Sequence, residues 1–268
     1  MAITNTPTRV AEIVTNNLGK TYLTDSGPVV AMAGVNLQVE QGEFVTVIGA
    51  SGCGKSTLLR ILAGFERSTE GTLTVGGQPV LKPGPQCGVV FQDYGLFPWL
   101  TVRENVAFGP RQSGASRAEA RLKADSCISA VGLTTFADKF PRELSGGMQQ
   151  RVAIARVLAN NPVLMLMDEP FGALDALTRT TMQHELSRIH REMDTTIVFV
   201  THSIEEAVFL ADRVVVMSGG AAHGVPGHVE AVVPISLADR DTTSAEFNAI
   251  RRRLGELIHT GTSAEPVA

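Results

Sequence analysis

A chain of 268 residues, 44% hydrophobic and 19% charged with a formal charge of −4, has room for one substantial core with subdomain elaborations, not for two large independent domains. No dense lysine or arginine run argues for a nucleic-acid partner, and no apolar stretch approaches the ~18 residues of a membrane span. Cys53, Cys87 and Cys127 lack metal-ligand spacing and fit reduced thiols; residues 1–15 lack the charged start and apolar block of a secretory signal, so the expected compartment is the cytosol.

In chain order, Val35, Leu37 and Val39 share one face of an expected strand. Phe44-Val45-Thr46-Val47-Ile48 is an apolar strand running into the glycine-rich stretch Gly49 to Thr57, and a helix is expected over Ser56–Ala63, stopped by Gly64. Thr72-Leu73-Thr74-Val75 leads into Gly76-Gly77, a two-residue hairpin signal, so a small antiparallel layer belongs to this part of the chain. A short strand, Gly88 to Gln92, precedes a helical insertion over about 93–158, in which Arg117 to Ser129 and the segment after Ser145 are the clearest helices. Val163 to Met167 and Ile197 to Val200 are purely apolar strands separated by a helix that places Met182, Leu186, Ile189 and Met193 on one face, which predicts a parallel α/β core. Gly219 to Gly227 holds turns, Ala221 to Val233 is expected to be a linker, and Ser244 to Ile258 is an amphipathic helix with Phe247, Ile250, Leu254 and Leu257 inward. The expected organisation is a catalytic domain over 13–218 and an extension, 219–268, packing on it.

The loop between the first apolar strand and its helix is where the chemistry begins. Backbone N–H groups must turn inward on a β-phosphate there, in conformations and at distances that side chains would obstruct. Gly49, Ser51, Gly52, Cys53, Gly54, Lys55, Ser56 and Thr57 are therefore the expected cradle of a nucleotide triphosphate. Lys55 neutralises β- and γ-phosphate charge, Ser56 offers its hydroxyl to Mg²⁺, and the Cys53 thiol fills a free position with no chemistry of its own. Asp168-Glu169-Pro170 puts a carboxylate pair at the carboxyl end of a buried strand, with Asp168 holding Mg²⁺ through water and Glu169 polarising the attacking water. His202 ends another strand on the same edge and can hydrogen-bond the γ-phosphate; the Gln92 amide can reach metal or water. Ser145-Gly146-Gly147 opens a further helix and gives one chain a second anion-binding helix start.

From about Ile13 to Met217 these motifs, in this order, resemble the ATP-binding cassette (ABC) family. Gly49 to Thr57 is similar to its Walker A loop, Gln92 to its Q-loop, Leu144 to Gln149 to its signature, Met165 to Glu169 to its Walker B, Ala173-Leu174-Asp175 to its D-loop, His202 to its switch histidine and Tyr22 to the aromatic that stacks on adenine. The resemblance implies a P-loop NTPase (RecA-like) α/β core with an antiparallel β subdomain and an inserted α-helical subdomain, using ATP and Mg²⁺. It also implies a head-to-tail dimer in which Ser145, Gly146, Gly147 and Asp175 meet the other copy's ATP. Two transmembrane permease subunits, served by a periplasmic or lipid-anchored solute-binding protein, would hold the dimer at the cytoplasmic face of the inner membrane.

Pro85 to Val102, with Leu96-Phe97-Pro98-Trp99-Leu100-Thr101-Val102, resembles the nitrate, sulfonate and taurine importer branch, as does the tail from Asp239 through Phe247 to Leu254. The expected function is ATP-driven uptake of a sulfonate, taurine or nitrate-type anion. The alternative is a single-cassette ATPase outside transport, for example in iron–sulfur assembly. Leu96, Phe97, Pro98 and Trp99 either receive a helix of the membrane partner or are core of the insertion. Gly172 stands where many members carry serine.

Overall fold

The computed structural model describes residues 11–193, 195–220, 224–237 and 239–260. Strands β1 (Ala11–Thr24) and β2 (Gly27–Glu40) form a long antiparallel hairpin, and β4 (Glu70–Val75) pairs with β1 and turns through Gly76-Gly77, both at positive φ, into β5 (Gln78–Pro79). This is the antiparallel layer the alternation of Val35, Leu37 and Val39 predicts. Their side chains, at most 4% exposed, close one core with Ile13, Leu18, Leu73 and Val75.

The second half of the sheet is parallel. Strands β3 (Phe44–Gly49), β6 (Cys87–Val90), β7 (Leu164–Asp168), β8 (Thr196–Val200) and β9 (Arg213–Gly220) run in the spatial order β6-β7-β8-β3-β9. Their continuous apolar runs reflect burial on both faces. Leu164, Leu166, Val198 and Val200 face the antiparallel layer and helix α1 (Lys55–Leu62), whereas Met165, Met167, Ile197 and Phe199 face a second core built with the remaining helices.

Between β6 and β7 come α2 (Val102–Gln112), α3 (Arg117–Ala130) and α4 (Gly146–Leu158), the expected helical insertion. Thr101 with Glu104 and Ser116 with Glu119 start α2 and α3 as capping boxes, each serine or threonine oxygen taking a backbone N–H while the glutamate returns to the cap. Helix α5 (Ala176–Met193) crosses from β7 to β8 and buries Met182, Leu186 and Ile189, but Met193 is 40% exposed, because the apolar face runs out one turn before the helix does.

The largest departure from expectation follows β9. Where a linker was expected over Ala221 to Val233, of which 221–223 lie outside the described residues, strand β10 (Val225–Pro234) returns antiparallel to β9 and slots between β9 and β2. The sheet therefore carries the chain across the expected boundary at 218. After it, α7 (Ala245–Thr260) buries Phe247 and Leu254 completely, with Ile250 and Leu257 packed against the same core, and the contacts are with β9 and with α6 (Ile204–Leu210).

Candidate nucleotide site

The parallel strands end level with one another, which brings residues far apart in sequence to one edge. Val47 pairs with Val200, Val200 with Asp168, and Gly49 with Met217, so the loops after β3, β7 and β8 leave the sheet side by side, where open α/β sheets bind ligands. Two adjoining cavities share Ser56 and Glu169. One of about 280 Å³ is walled by Gly49, Ser51, Gly52, Gly54, Lys55, Thr57 and His202; the other, of about 660 Å³, adds Gln92, Asp168 and Ala173.

In the glycine-rich loop, Gly54 caps α1 at φ 97, so the helix N-terminus opens onto the smaller cavity. Lys55 is 9% exposed and its Nζ donates to the carbonyls of Gly49 (2.8 Å) and Ala50 (2.9 Å), which fixes the ammonium over the loop. Cys53 is fully buried and its thiol is raised by that burial; burial likewise raises Cys87, to about 12, and all three cysteines are free.

Ser56 Oγ donates to Oδ1 of Asp168 at 3.4 Å. Burial first, and then the neighbouring Glu169 charge, pushes the Asp168 carboxyl up from its ordinary value, and Ser56, Arg60 and Lys55 pull it partly back. A half-buried carboxylate beside a second carboxylate and a hydroxyl is an all-oxygen arrangement that a hard divalent cation relieves, so the donors fit Mg²⁺. No cluster of three or more His, Cys, Asp or Glu able to hold a metal occurs among the described residues.

Glu169 adopts φ 45, a left-handed conformation rare for a bulky residue and costing of order 1–3 kcal/mol. It is pinned there because its N–H donates to Val200 O (2.9 Å) while its own carbonyl accepts from Gly172 (3.0 Å). The strained backbone aims the carboxylate at His202, whose Nδ1 lies 3.2 Å from Oε2. Gln92 lies in the turn beyond β6, which stops at Val90 rather than continuing to Gln92 as expected. Its amide closes on Gly172, where an added Cβ would lie 3.1 Å from Nε2.

The other expected site residues lie apart from this cluster. Tyr22, half-buried on β1, donates its hydroxyl to Glu66 at 2.5 Å, and Lys20 Nζ lies over its ring, 5.0 Å from the centroid. Asp175 uses both carboxylate oxygens on Thr178, capping the start of α5, and these hydrogen bonds hold it below the usual carboxylate range. Ser145 caps α4 by accepting from Met148 N (3.4 Å); Ser145 and Gly146 are exposed, and neither lines the two cavities.

One part of the site was not anticipated. The β9–β10 pair lies directly behind the phosphate loop: a Cβ on Gly227 would sit 2.1 Å from the Cys53 carbonyl oxygen, and one on Gly220 2.6 Å from that of Gly52. Glycine is required at Gly227 by this close approach of backbone to backbone. Gly227→Ala is expected to displace the loop and weaken ATP binding roughly tenfold, about 1.4 kcal/mol. Gly84→Ala, with nothing within 4 Å of the added methyl and no left-handed backbone to strain, should leave affinity near wild type in the same fluorescent-nucleotide titration.

The sequence pattern of ABC transporters matches residues 32–172. The chain is 47% identical over 237 residues to the nitrate import ATP-binding protein NrtD of Synechocystis sp., covering 88% of this chain and 87% of that one. It is 48% identical over 225 residues to the bicarbonate transport ATP-binding protein CmpC of the same organism, covering 83% of this chain and 34% of that longer protein. Among solved structures, the dimeric post-hydrolysis state of the ATP-binding cassette MJ0796 bound to ADP and Pi superposes with a TM-score of 0.71 at 34% identity, covering 84% of this chain and 99% of that one. Phosphate loop, paired carboxylates, sheet order and these likenesses agree, and the chain belongs to the ABC transporter family as an ATP-hydrolysing cassette.

Proposed function

We propose that this chain is the ATPase subunit of an importer for a small oxyanion of the nitrate type, acting as two copies that enclose ATP between them. The anion class draws support from the likeness to NrtD and CmpC, and the sulfonates and taurine suggested by Pro98-Trp99-Leu100-Thr101-Val102 belong to the same chemical class. On this reading residues 13–218 hold the catalytic residues, and the chain after them adds β10 to the same sheet and packs α7 on it.

Within each site Lys55 and the loop N–H groups bind the β- and γ-phosphates, Ser56 and Asp168 are the residues that would hold Mg²⁺, and Glu169 takes a proton from the attacking water. His202 orients that carboxylate and reaches the γ-phosphate, and Gln92 reports its presence to the helical insertion. Mg²⁺, when bound, neutralises charge developing on the phosphates. Tyr22 stacks on adenine. Ser145 and Gly146, exposed and set apart from their own chain's cavities, serve with the buried Gly147 the ATP of the other copy, with Asp175 at the shared seam.

The observation that carries the transport reading is Trp99. It is 71% exposed, not core, and stands on a platform with Phe97 (5.7 Å between ring centroids) and Phe108 (4.6 Å from Phe97), a few residues from Gln92. An exposed aromatic platform beside a nucleotide-sensing loop suits a short helix of a permease subunit. No helix among the described residues is long and apolar enough to cross a membrane, so the permease pair supplies the pathway, holds the cassettes at the cytoplasmic face of the inner membrane, and receives solute from a binding protein on the far side.

The test is a deletion strain complemented with this chain and assayed for uptake of labelled nitrate, bicarbonate and taurine. Wild type is expected to restore uptake of one of these anions. Trp99→Asp should fail to restore it while hydrolysing ATP normally as purified protein. Uptake of all three unaffected by the deletion overturns the reading.

A further inference from the structure

Thr201, the residue before His202, is only 2% exposed; its hydroxyl donates to Oε2 of Glu206 at 2.5 Å and accepts the Ser203 N–H at 3.0 Å. Glu206 is itself 5% exposed, and its other oxygen faces Nε of Arg179 at 3.6 Å. Arg179, in the first turn of α5, donates through Nη2 to the carbonyl of Leu174 at 3.0 Å, and its N–H donates to the Asp175 carbonyl at 2.9 Å. One buried carboxylate thus joins the turn that carries His202 to the loop that begins at Glu169 and ends at Asp175. Helix α6 has no need of it as a cap, because Ser203 already accepts the Glu206 N–H at 3.3 Å. A buried ion pair is a poor source of stability compared with apolar packing, and its best-attested use is to fix one arrangement against others.

We propose that Glu206 and Arg179 are positioning residues for ATP hydrolysis. The pair sets the separation of the His202 turn from the Leu174–Asp175 loop, and so keeps the imidazole beside the Glu169 carboxylate. The inference rests on Glu169 and His202 acting as proposed above. It also gives the loop at the shared seam a route to the reacting centre: a displacement of Leu174 pulls on Arg179, then on Glu206, then on Thr201.

The experiment is steady-state ATP hydrolysis by the full chain in Glu206→Gln, Arg179→Gln and the double variant, with melting temperatures measured alongside. Glutamine keeps an acceptor for Thr201 but offers no charge to Arg179. Each single variant is expected to lose about tenfold in kcat with KM within about twofold, and the double variant to lose no more than the worse single one, because residues acting as a unit are not additive. Arg179→Lys restores the charge without the fork to Leu174 and should recover only part of the rate.

A purely structural pair would lower the melting temperature and leave kcat of the folded enzyme unchanged; that result, or losses that multiply in the double variant, overturns the proposal. The Arg179 side chain is 36% exposed, and Arg179→Lys keeps a positive charge beside Glu206, so that variant is expected to fold even where Glu206→Gln does not. Glu169→Gln in the same assay separates the two levels. If it is inactive while Glu206→Gln matches wild type, only the pairing falls; if it hydrolyses ATP normally, the assignment of the base falls with it.

Discussion

Glu169→Gln is expected to reduce kcat by about a thousandfold, within the range that removal of a general base produces, while ATP binds within about threefold of wild-type affinity. The substitution keeps the shape of the side chain and an oxygen to accept from His202, 3.2 Å away, so the geometry around φ 45 survives and only the ability to take a proton is lost. Asp168 is not a rival for this role: its carboxylate is engaged by Ser56 on the phosphate-loop side, and its position suits charge neutralisation. His202 is the rival, being 67% exposed at its side chain and free to approach a phosphate. His202→Ala therefore belongs in the same series. A carboxylate base predicts the larger loss in Glu169→Gln, and an imidazole base predicts the reverse. The glutamine variant should also accumulate as an ATP-held dimer on gel filtration, because an enclosed nucleotide that is not cleaved does not release the two copies. Turnover within threefold of wild type in Glu169→Gln would remove the carboxylate from the reaction.

Much of this site was legible in the sequence because its parts obey local rules. A strand, a glycine-rich turn and a helix start are contiguous, and so is an apolar strand ending in Asp168-Glu169. Period and punctuation suffice for such features, and the parallel core and helical insertion followed from the same signals. The features that escaped depend on partners remote in the chain. Val225–Pro234 looks like a linker because Gly227 and its two prolines interrupt any alternation, yet it becomes a strand by pairing with β9 and β2. Gly227 reads as turn punctuation until Cys53, about 170 residues earlier, is found pressed against it. Trp99 left two readings open, since an aromatic is as much at home in a core as on a docking surface, and only its solvent exposure separates them. The pairing of Glu206 with Arg179 could not have been found by spacing at all, because β8 and the turn at His202 intervene between their helices.

Replacing Lys55 should have its effect one step earlier, on nucleotide binding itself. The ammonium is nearly buried, held by two loop carbonyls, and lines the cavity onto which the start of α1 opens. Charge-assisted hydrogen bonds are worth about 1.5–3 kcal/mol each, so losing the contacts of Lys55 to two phosphates should cost about 3–4 kcal/mol and raise the Kd for ATP by roughly 100- to 1,000-fold in Lys55→Ala. The same change strands the carbonyls of Gly49 and Ala50 without their donor, so the free protein should also melt at a lower temperature, and binding must be read where the variant is still folded. Lys55→Arg keeps the charge and tests whether charge alone is enough. The planar guanidinium is longer and cannot take the position of a compact ammonium above the loop, so it should recover little of the affinity. A fluorescent ATP analogue binding Lys55→Ala as tightly as wild type would mean that the loop does not hold the triphosphate through this residue. Binding lost in Lys55→Ala but intact in Glu169→Gln would separate the cradle from the chemistry, the division of labour that the ends of β3 and β7 set out.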